Sequence, residues 1–140
     1  MSGTTDPGTL PQQRLATAVG DVMRPSVVTI AEDAPLLHAK RAMVRHRIHA
    51  VLVVGKESGR PLGWVSDHGL LPWLERDLAT VPAAHAITEP PRFIDAGATA
   101  RSALDALAEQ GAGRLLVGDI GRPPQGVIAP LDLVDLVTRP

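Results

Sequence analysis

The sequence has no cysteine, few aromatic residues, almost no net charge and no long apolar run. Without cysteine, the chain cannot form disulfides, use thiolate chemistry or hold cysteine-ligated zinc. A formal net charge of −1 gives no global basic field that would draw the protein to nucleic acid or to an anionic membrane. Its apolar runs, such as AVLVV at 50–54, are far shorter than a membrane span. These absences predict a soluble protein with neither a membrane nor nucleic acid as its partner.

Signals for targeting and for catalysis are missing as well. The N-terminal stretch MSGTTDPGTLPQQRLAT is polar and has no apolar core, so it is not a signal peptide, and a cytoplasmic location is expected. No nucleophile–base–acid set and no phosphate loop of the G-x-x-x-x-G-K form occurs, which argues against an enzyme. The five histidines form no H-E-x-x-H motif, and the stretch RHRIH is predicted to be a solvated basic segment, so no metal site is expected.

The chain does contain an internal repeat. Residues 27–55 align with 91–119 at an offset of 64, and GWVSDHGLLPWL (63–74) aligns with GVIAPLDLVDLV (126–137) at an offset of 63. In this alignment Gly69 stands where Asp132 stands, and Ser66 stands where Ala129 stands. The repeat therefore gives each segment of one half a counterpart in the other half.

Each copy has the same predicted order of elements, β-α-β-β-α. The first strands are VVTI (27–30) and RFI (92–94), and two further strands in each copy are joined by a hairpin-like turn. The closing helices are predicted at 68–78 and 130–137. Hydrophobic residues make up 44% of the chain, which excludes a wholly disordered protein. A length of 140 residues fits one compact domain or two small halves that share a core.

The first helix of each copy follows an amphipathic pattern. In the first copy Asp33 is a predicted N-cap and Pro35 falls in the first turn; in the second, Gly111 is a predicted C-terminal stop. The apolar faces are predicted to comprise Leu36, Ala39, Met43 and Val44 in the first copy, and Ala100, Ala103, Leu104 and Leu107 in the second. Both Trp64 and Trp73 are predicted to pack in the first half.

The domain organisation follows from the repeat. Residues 1–18 form a flexible leader, in which Pro7, Gly8 and Pro11 argue against regular structure. The first repeat is predicted at 19–78, a linker with the start of the second repeat at 79–90, and the second repeat at 91–138.

This pattern resembles a CBS-domain pair, also called a Bateman module, over residues 19–138. The motifs that carry the resemblance are GDVM (20–23), HRIHAVLVV (46–54), GWVSDHGLL (63–71) and GVIAPLDLV (126–134). The proline usual in the family's middle strand is replaced by Leu52 and by Leu116. The resemblance implies an α/β fold of two repeats packed with pseudo-two-fold symmetry and a stand-alone regulatory module that binds AMP, ADP, ATP or S-adenosylmethionine between its halves.

The resemblance implies two unequal clefts. In one, Asp132 would accept the ribose hydroxyls and Arg114 would meet phosphate, although Ala129 lacks the usual hydroxyl. The apolar base slot of this cleft would be lined by Met23, Val28 and Ile48.

The other cleft keeps Ser66 but has Gly69 in place of the ribose acid, so it is predicted to be weak or empty unless Arg92 and His49 bind some other anion. Its base slot would involve Ile87, Arg92 and Ala112.

Simpler interpretations of the same residues stay open. An acid at the third position of a helix is favourable by about 0.3–1 kcal/mol from the helix dipole alone, which would explain Asp132 without a ligand. Arg114 has Asp119 or solvent as alternative partners, and Ser66 and Asp67 are predicted to cap the following helix.

The favoured function is a ligand-sensing module that binds one adenine nucleotide and regulates an unidentified partner protein. The alternatives are a structural or interaction module with degenerate clefts and a nucleic-acid-associated regulator, which the near-neutral charge disfavours. A homodimer is expected through the apolar last helices, with Leu70, Leu74, Leu133 and Leu136, and structural roles are predicted for Gly111 and Gly126.

Overall fold

The computed structural model describes residues 9–110 and 113–140. The α-helices in the described part are α1 (Leu10–Arg14), α2 (Leu36–His46), α3 (Ala100–Gln110) and α4 (Pro130–Thr138). The strands are β1 (Thr29–Ala31), β2 (Ala50–Val54), β3 (Pro61–Ser66), β4 (Phe93–Ile94), β5 (Leu115–Val117) and β6 (Gly126–Ile128). Short 3₁₀ helices occur at Val19–Asp21, His68–Trp73 and Ala83–Ala86. The predicted α/β class is confirmed.

Two three-stranded sheets carry the repeat. Their orders are β1-β2-β3 and β4-β5-β6, and each has one parallel and one antiparallel pair. Ile30 pairs with Val53 in the first sheet, and Ile94 pairs with Val117 in the second. Both partners are shifted by 64 positions, which is the offset of the sequence repeat. The tandem repeat is therefore confirmed at the level of strand register.

The chain divides into two compact units, each with its own core. Unit 1 contains residues 9–26, 92–110, 113–120 and 124–140, and unit 2 contains 27–91 with 121–123. The unit 1 core includes Val19, which precedes the GDVM motif and is fully buried against α3 and α4 residues. The segment that precedes β1 thus belongs to the unit of the second sheet, and the segment before β4 belongs to the unit of the first.

Backbone hydrogen bonds of the two leading segments repeat at the same offset. The N–H of Val19 donates to the carbonyl of Ala98 at 2.7 Å, and the N–H of Ala83 donates to the carbonyl of Ala34 at 2.8 Å. The donors belong to the leading segments, and the accepting carbonyls lie in the loops before α3 and before α2, respectively. Each unit therefore includes a leading segment fixed by its main chain, independently of side-chain identity.

Gly126 allows the backbone of the GDVM segment to lie close to β6. The backbone of Arg24 forms two hydrogen bonds with Val127, at 2.9 and 3.0 Å, so it runs beside β6 like a further strand. A Cβ on Gly126 would collide with the Arg24 carbonyl oxygen and lie 2.7 Å from the sulfur of Met23. Glycine at this position is required for the GDVM segment to lie on the strand.

The first helix of the first copy starts later than predicted. Its N-cap is Pro35, without a side-chain cap, whereas Asp33 pairs with Lys56 at 3.0 Å instead of capping the helix. The reason is that the N–H of Leu36 donates to the carbonyl of Val81, which leaves less need for a side-chain acceptor. The predicted apolar face is right except for Val44, which is 67% exposed.

The closing helix predicted at 68–78 is wrong in type and length. The segment forms a 3₁₀ helix, His68–Trp73, with Pro72 inside it. In an α-helix, Pro72 would lack the N–H that bonds to the carbonyl of His68, and its ring would clash with that carbonyl. Its counterpart α4 begins with Pro130, where proline is favourable, and continues for nine residues.

The leader contains regular structure, contrary to the prediction. α1 begins after Thr9, whose hydroxyl accepts a hydrogen bond from the N–H of Gln12, and Pro11 lies in the first turn, where proline is tolerated. Arg14 donates to the carbonyls of Leu136 and Arg139 at the end of α4. These bonds satisfy carbonyls that a helix leaves unpaired at its C-terminus.

Two of the predicted positions fall outside the described residues: Gly111 and Ala112. Of the two tryptophans, Trp64 is 3% exposed, and Trp73 is half-buried against the unit 2 core with Arg76 over its ring. The prediction that both are buried packing residues is confirmed for Trp64, whereas Trp73 packs against the core but is only half-buried.

Candidate functional site

Asp132 occupies the third position of α4 and uses both of its carboxylate oxygens. Oδ2 accepts a hydrogen bond from the N–H of Ala129 at 2.8 Å, so it satisfies a backbone donor at the start of the helix. Oδ1 lies 3.2 Å from Nε of Arg24. The side chain is only 13% exposed. A carboxylate offers about four acceptor positions, so roughly two remain for another donor.

Arg24 is the residue that the sequence analysis missed. It directly follows the GDVM motif, and its backbone is held by the two hydrogen bonds to Val127. Its side chain is 52% exposed and pairs with Asp132, 108 positions away in sequence. A cation immediately after the motif was the available signal, but no local pattern links it to Asp132. The pair places a positive charge beside the predicted ribose acid.

Unit 1 also holds Arg114 and Met23. Leu115 pairs with Ile128, so Arg114 and Ala129 are the next residues beyond the same end of this antiparallel ladder. Arg114 is half-buried. Met23 is half-buried and packs against the unit 1 core. The predicted ribose and phosphate residues therefore belong to one unit with Met23.

The other two residues of the predicted base slot belong to unit 2. Val28 and Ile48 are half-buried and pack against the core of that unit. Their role beside a base stays a prediction.

The counterpart position in unit 2 has a different structure. The hydroxyl of Ser66 accepts a hydrogen bond from the N–H of Gly69 at 3.0 Å, and Asp67 accepts one from the N–H of His68 at 2.7 Å. The predicted capping role of these two side chains is confirmed. Gly69 is buried, with Thr88 within 3.5 Å of a Cβ built on it. No carboxylate stands at the position that corresponds to Asp132.

The remaining residues of the second predicted cleft do not all belong to one unit. Ile87 lies in unit 2, where its side chain packs over Gly63. Arg92 lies in unit 1 and its carbonyl accepts a hydrogen bond from Leu116. Ala112 is outside the described residues. The structure thus brings no complete second set together within either unit.

His49 and Asp67 form an exposed pair that the sequence analysis did not foresee. Nδ1 of His49 lies 2.9 Å from Oδ2 of Asp67, and the two side chains are 85% and 56% exposed. The pKa of the Asp67 carboxyl lies below its usual value, first because of the hydrogen bond with His49 and then because of the backbone N–H of His68. Both partners stabilise the ionised form.

We expect this pair to make a small, pH-dependent contribution to stability. Because the pKa of Asp67 is lowered by folding, its contribution is full above the unfolded value of about 4 and is lost as the pH falls through the folded value. Asp67→Asn should reduce the free energy of unfolding at pH 6 by at most about 1 kcal/mol, since both side chains are exposed. Urea denaturation between pH 3 and pH 7 measures this.

His49→Gln is the matched control, because it removes the larger cause of the pKa shift and leaves the bond to His68. It should show a weaker pH dependence than the parent. Stability curves of parent and Asp67→Asn that stay parallel down to pH 3 would contradict the assignment.

Two further features bear on the kind of site. Among the described residues, no three His, Cys, Asp or Glu side chains cluster in a way that would hold a metal ion. No helix in the described part of the chain has the length and apolar character needed to cross a membrane.

Comparison with known proteins finds a similar domain and similar folds. A family model described as the CBS domain matches residues 19–76. The matched stretch, which holds the first copy of the repeat, is therefore similar to a CBS domain, and the second copy repeats the strand registers of the first. CBS pairs are regulatory, ligand-binding modules and are generally not catalytic.

Solved structures with the same fold include bacterial CBS domains. One is the CBS domain of a bacterial CNNM/CorC-family Mg2+ transporter in complex with ATP, with 24% identity, a TM-score of 0.80, and coverage of 91% of this chain and 92% of that one. A second structure of the CBS domain of a bacterial CNNM/CorC-family transporter has 26% identity, a TM-score of 0.79, and coverage of 91% and 79%.

A third match is the CBS domain of a membrane protein from Sphaerobacter thermophilus, with 19% identity, a TM-score of 0.77, and coverage of 91% of both chains. Among curated proteins, none matches the sequence significantly.

Proposed function

We propose that this CBS pair binds one adenine nucleotide at Asp132 and thereby regulates a partner protein. The observation that carries the proposal is the largely buried Asp132 carboxylate, 13% exposed, which has acceptor positions left after its bonds to Ala129 and Arg24. A ribose offers two hydroxyl donors, which suit an ionised carboxylate that only accepts. A related CBS domain that binds ATP supports this choice of ligand.

The charges near Asp132 favour a phosphorylated ligand. Arg24 and Arg114 both belong to the same unit as the acid, and Arg114 lies at the sheet end where α4 begins. The start of α4 adds backbone N–H groups and the positive end of a helix dipole. These groups complement phosphate, whereas Gly69 gives the other repeat no ribose acceptor. One nucleotide per chain is expected.

Thermal shift and calorimetry with AMP, ADP, ATP and S-adenosylmethionine test the proposal. A ligand that binds only the folded state stabilises it and so raises the melting temperature. At a ligand concentration of one hundred times the dissociation constant, the stabilisation is about 2.7 kcal/mol. We expect a rise with at least one phosphorylated nucleotide and one site per chain by calorimetry. Absence of any shift would contradict nucleotide binding.

A structural or interaction module is the second candidate function. It is favoured by Ala129, which lacks a hydroxyl, and by Gly69, which lacks the acid. This function predicts no heat and no shift with any of the four compounds, so the same experiment separates the two candidates.

Arg114→Ala is expected to discriminate between nucleotide and nucleoside. If Arg114 meets phosphate, AMP affinity should fall by about tenfold or more, because a hydrogen bond to a charged group is lost, while adenosine affinity should change little. Arg122→Ala is the control, since Arg122 is an exposed arginine of the β5–β6 hairpin. Equal losses for AMP and adenosine would show that Arg114 acts on the fold and not on phosphate.

Regulation would operate by linkage. A ligand that fits one conformation better than another shifts their equilibrium by its difference in affinity. The regulated protein would read that shift, and the module itself would carry out no reaction.

The proposed homodimer requires different residues from those predicted. Leu70, Leu133 and Leu136 are at most 8% exposed and pack within their own units, so they are not available to a partner. Leu74 is 60% exposed and remains a candidate. Further exposed apolar side chains on the closing helices are Leu71, Leu131 and Val134.

A further inference from the structure

Arg24 has more hydrogen-bond donors than its contact with Asp132 uses. Only its Nε forms a hydrogen bond with the carboxylate, at 3.2 Å, and within the described residues its two terminal NH2 groups have no partner. The N–H donors of those two groups form a flat fork that matches the oxygens of a phosphate. The side chain is 52% exposed, so a ligand can reach the fork from solvent.

The fold does not require an arginine at this position. In one repeat, the N–H of Val127 donates to the carbonyl of Arg24 at 3.0 Å. In the other repeat, Trp64 takes the place of Val127, and its N–H donates to the carbonyl of Glu89 at 2.9 Å. Glu89 is therefore the counterpart of Arg24, with the opposite charge and the same backbone role. The sequence of that repeat also lacks the acid, so the cation and the acid occur together in one repeat.

The fork lies beside the place proposed for the ribose. The backbone of Arg24 is held on β6 by two hydrogen bonds with Val127, and the Asp132 carboxylate is held by the N–H of Ala129. Both groups are therefore in position before a ligand arrives. A ribose hydroxyl that donates to Asp132 would lie next to the guanidinium, because both would bind the same carboxylate. A phosphate on the adjacent ribose oxygen would then meet the fork.

Arg114 and Arg24 lie on opposite sides of β6. Arg114 directly precedes β5, which pairs with one edge of β6, whereas the backbone of Arg24 pairs with the other edge. Their main chains are therefore two strand spacings apart, about 9–10 Å. Two cations with this separation suit two phosphates on different parts of a ribose better than a single phosphate.

We propose that the site at Asp132 takes an adenosine with two separate phosphates, one at the 5′ position and one on the 2′ or 3′ oxygen of the ribose. Arg24 binds the ribose phosphate, Arg114 meets the 5′ phosphate, and the remaining ribose hydroxyl donates to Asp132. This ligand class rests on the proposed function, and it adds the residue that selects the ligand. The bond from Nε to Asp132 leaves the fork available for this second anion.

Calorimetry with isomeric nucleotides tests the ligand class on the parent protein. ADP carries both phosphates at the 5′ position, whereas adenosine 2′,5′-bisphosphate and adenosine 3′,5′-bisphosphate each carry one on the ribose. At least one of these two bisphosphates should bind about tenfold more tightly than ADP, because a charged bidentate contact is added. The tighter of the two identifies the ribose oxygen. ADP that binds as tightly as both bisphosphates, or more tightly, would overturn the proposal.

Variants of Arg24 test the residue. Arg24→Ala should lower the affinity for the preferred bisphosphate by about tenfold or more and change that for AMP by at most about threefold. Arg24→Lys keeps the charge but loses the fork, so it should recover only part of the lost affinity. Equal losses for AMP and the bisphosphate in Arg24→Ala would show that Arg24 only positions Asp132, which would overturn the proposal.

Arg139→Ala is the matched control. The side chain of Arg139 is also 52% exposed and also pairs with an acid of α4, Asp135. Its removal should leave the affinities for AMP and for the bisphosphate within about twofold of the parent values. Melting curves of all variants verify that they fold.

Failure of the ligand class and failure of the proposed function give different results. A parent protein that binds none of AMP, ADP and the two bisphosphates would overturn both. A parent protein that binds AMP at one site per chain but shows no preference for a ribose phosphate would overturn the ligand class alone.

Discussion

Asp132→Asn is expected to lower the affinity for AMP by roughly 10- to 150-fold. The substitution keeps the shape of the side chain but replaces a two-oxygen anion with an amide that has one acceptor oxygen. That oxygen is needed for the N–H of Ala129, so the amide group would face Arg24 and the ribose with a donor in place of an acceptor. Loss of a charge-assisted hydrogen bond costs about 1.5–3 kcal/mol, and calorimetry measures the change.

Asp135→Asn is the matched control on the same helix. Asp135 is exposed and pairs only with Arg139 at its own end of α4 among the contacts described, so AMP affinity should stay within about twofold. Asp67→Asn in the other repeat should also bind AMP normally. An Asp132→Asn protein that binds as tightly as the parent would reduce Asp132 to a residue that only stabilises the start of its helix.

Gly126→Ala is expected to destabilise the fold by about 2–3 kcal/mol, or roughly 10 °C in melting temperature. The added Cβ would meet the backbone carbonyl oxygen of Arg24. That residue cannot shift easily, because its carbonyl accepts a hydrogen bond from the N–H of Val127 and its N–H donates one to the carbonyl of Val127. The strand and the GDVM segment must separate, which weakens the packing of Val19. Chemical denaturation measures the loss, and circular dichroism at low temperature verifies that the variant still folds.

Gly121→Ala separates this steric effect from the backbone preference of glycine. Gly121 has a φ of +90° and nothing within 4 Å of a built Cβ, so alanine there should cost only about 1 kcal/mol from strain. Equal losses for the two variants would indicate that no close contact with Arg24 exists.

The repeat made much of the fold predictable. An offset of 64 read from similar residues is the offset of the strand registers, because both copies must bury the same positions. The wrong predictions of the fold occur at single residues that depart from the pattern shared by the two copies. Pro72 prevents an α-helix that the apolar spacing alone would allow, and Val44 lies just outside the face that α2 buries.

The site was predictable only in part, for a physical reason. Asp132 was found because its segment has a counterpart with a different residue at that position. Arg24 was not found, because its pairing with Asp132 depends on which sheet the leading segment joins. Periodicity determines which face of an element is buried, but it carries no information about distant partners.

The long separation between Arg24 and Asp132 has a consequence during synthesis. Translation proceeds from the N-terminus, so residues 9–26 are made about a hundred residues before the strand and helix that they contact. Unit 2 has nearly all of its residues by position 91, whereas unit 1 must wait for α4, and closing so long a loop is slow. A nascent chain therefore lacks the Arg24–Asp132 pair until α4 emerges, and products that terminate before α4 would be unable to form the proposed nucleotide site.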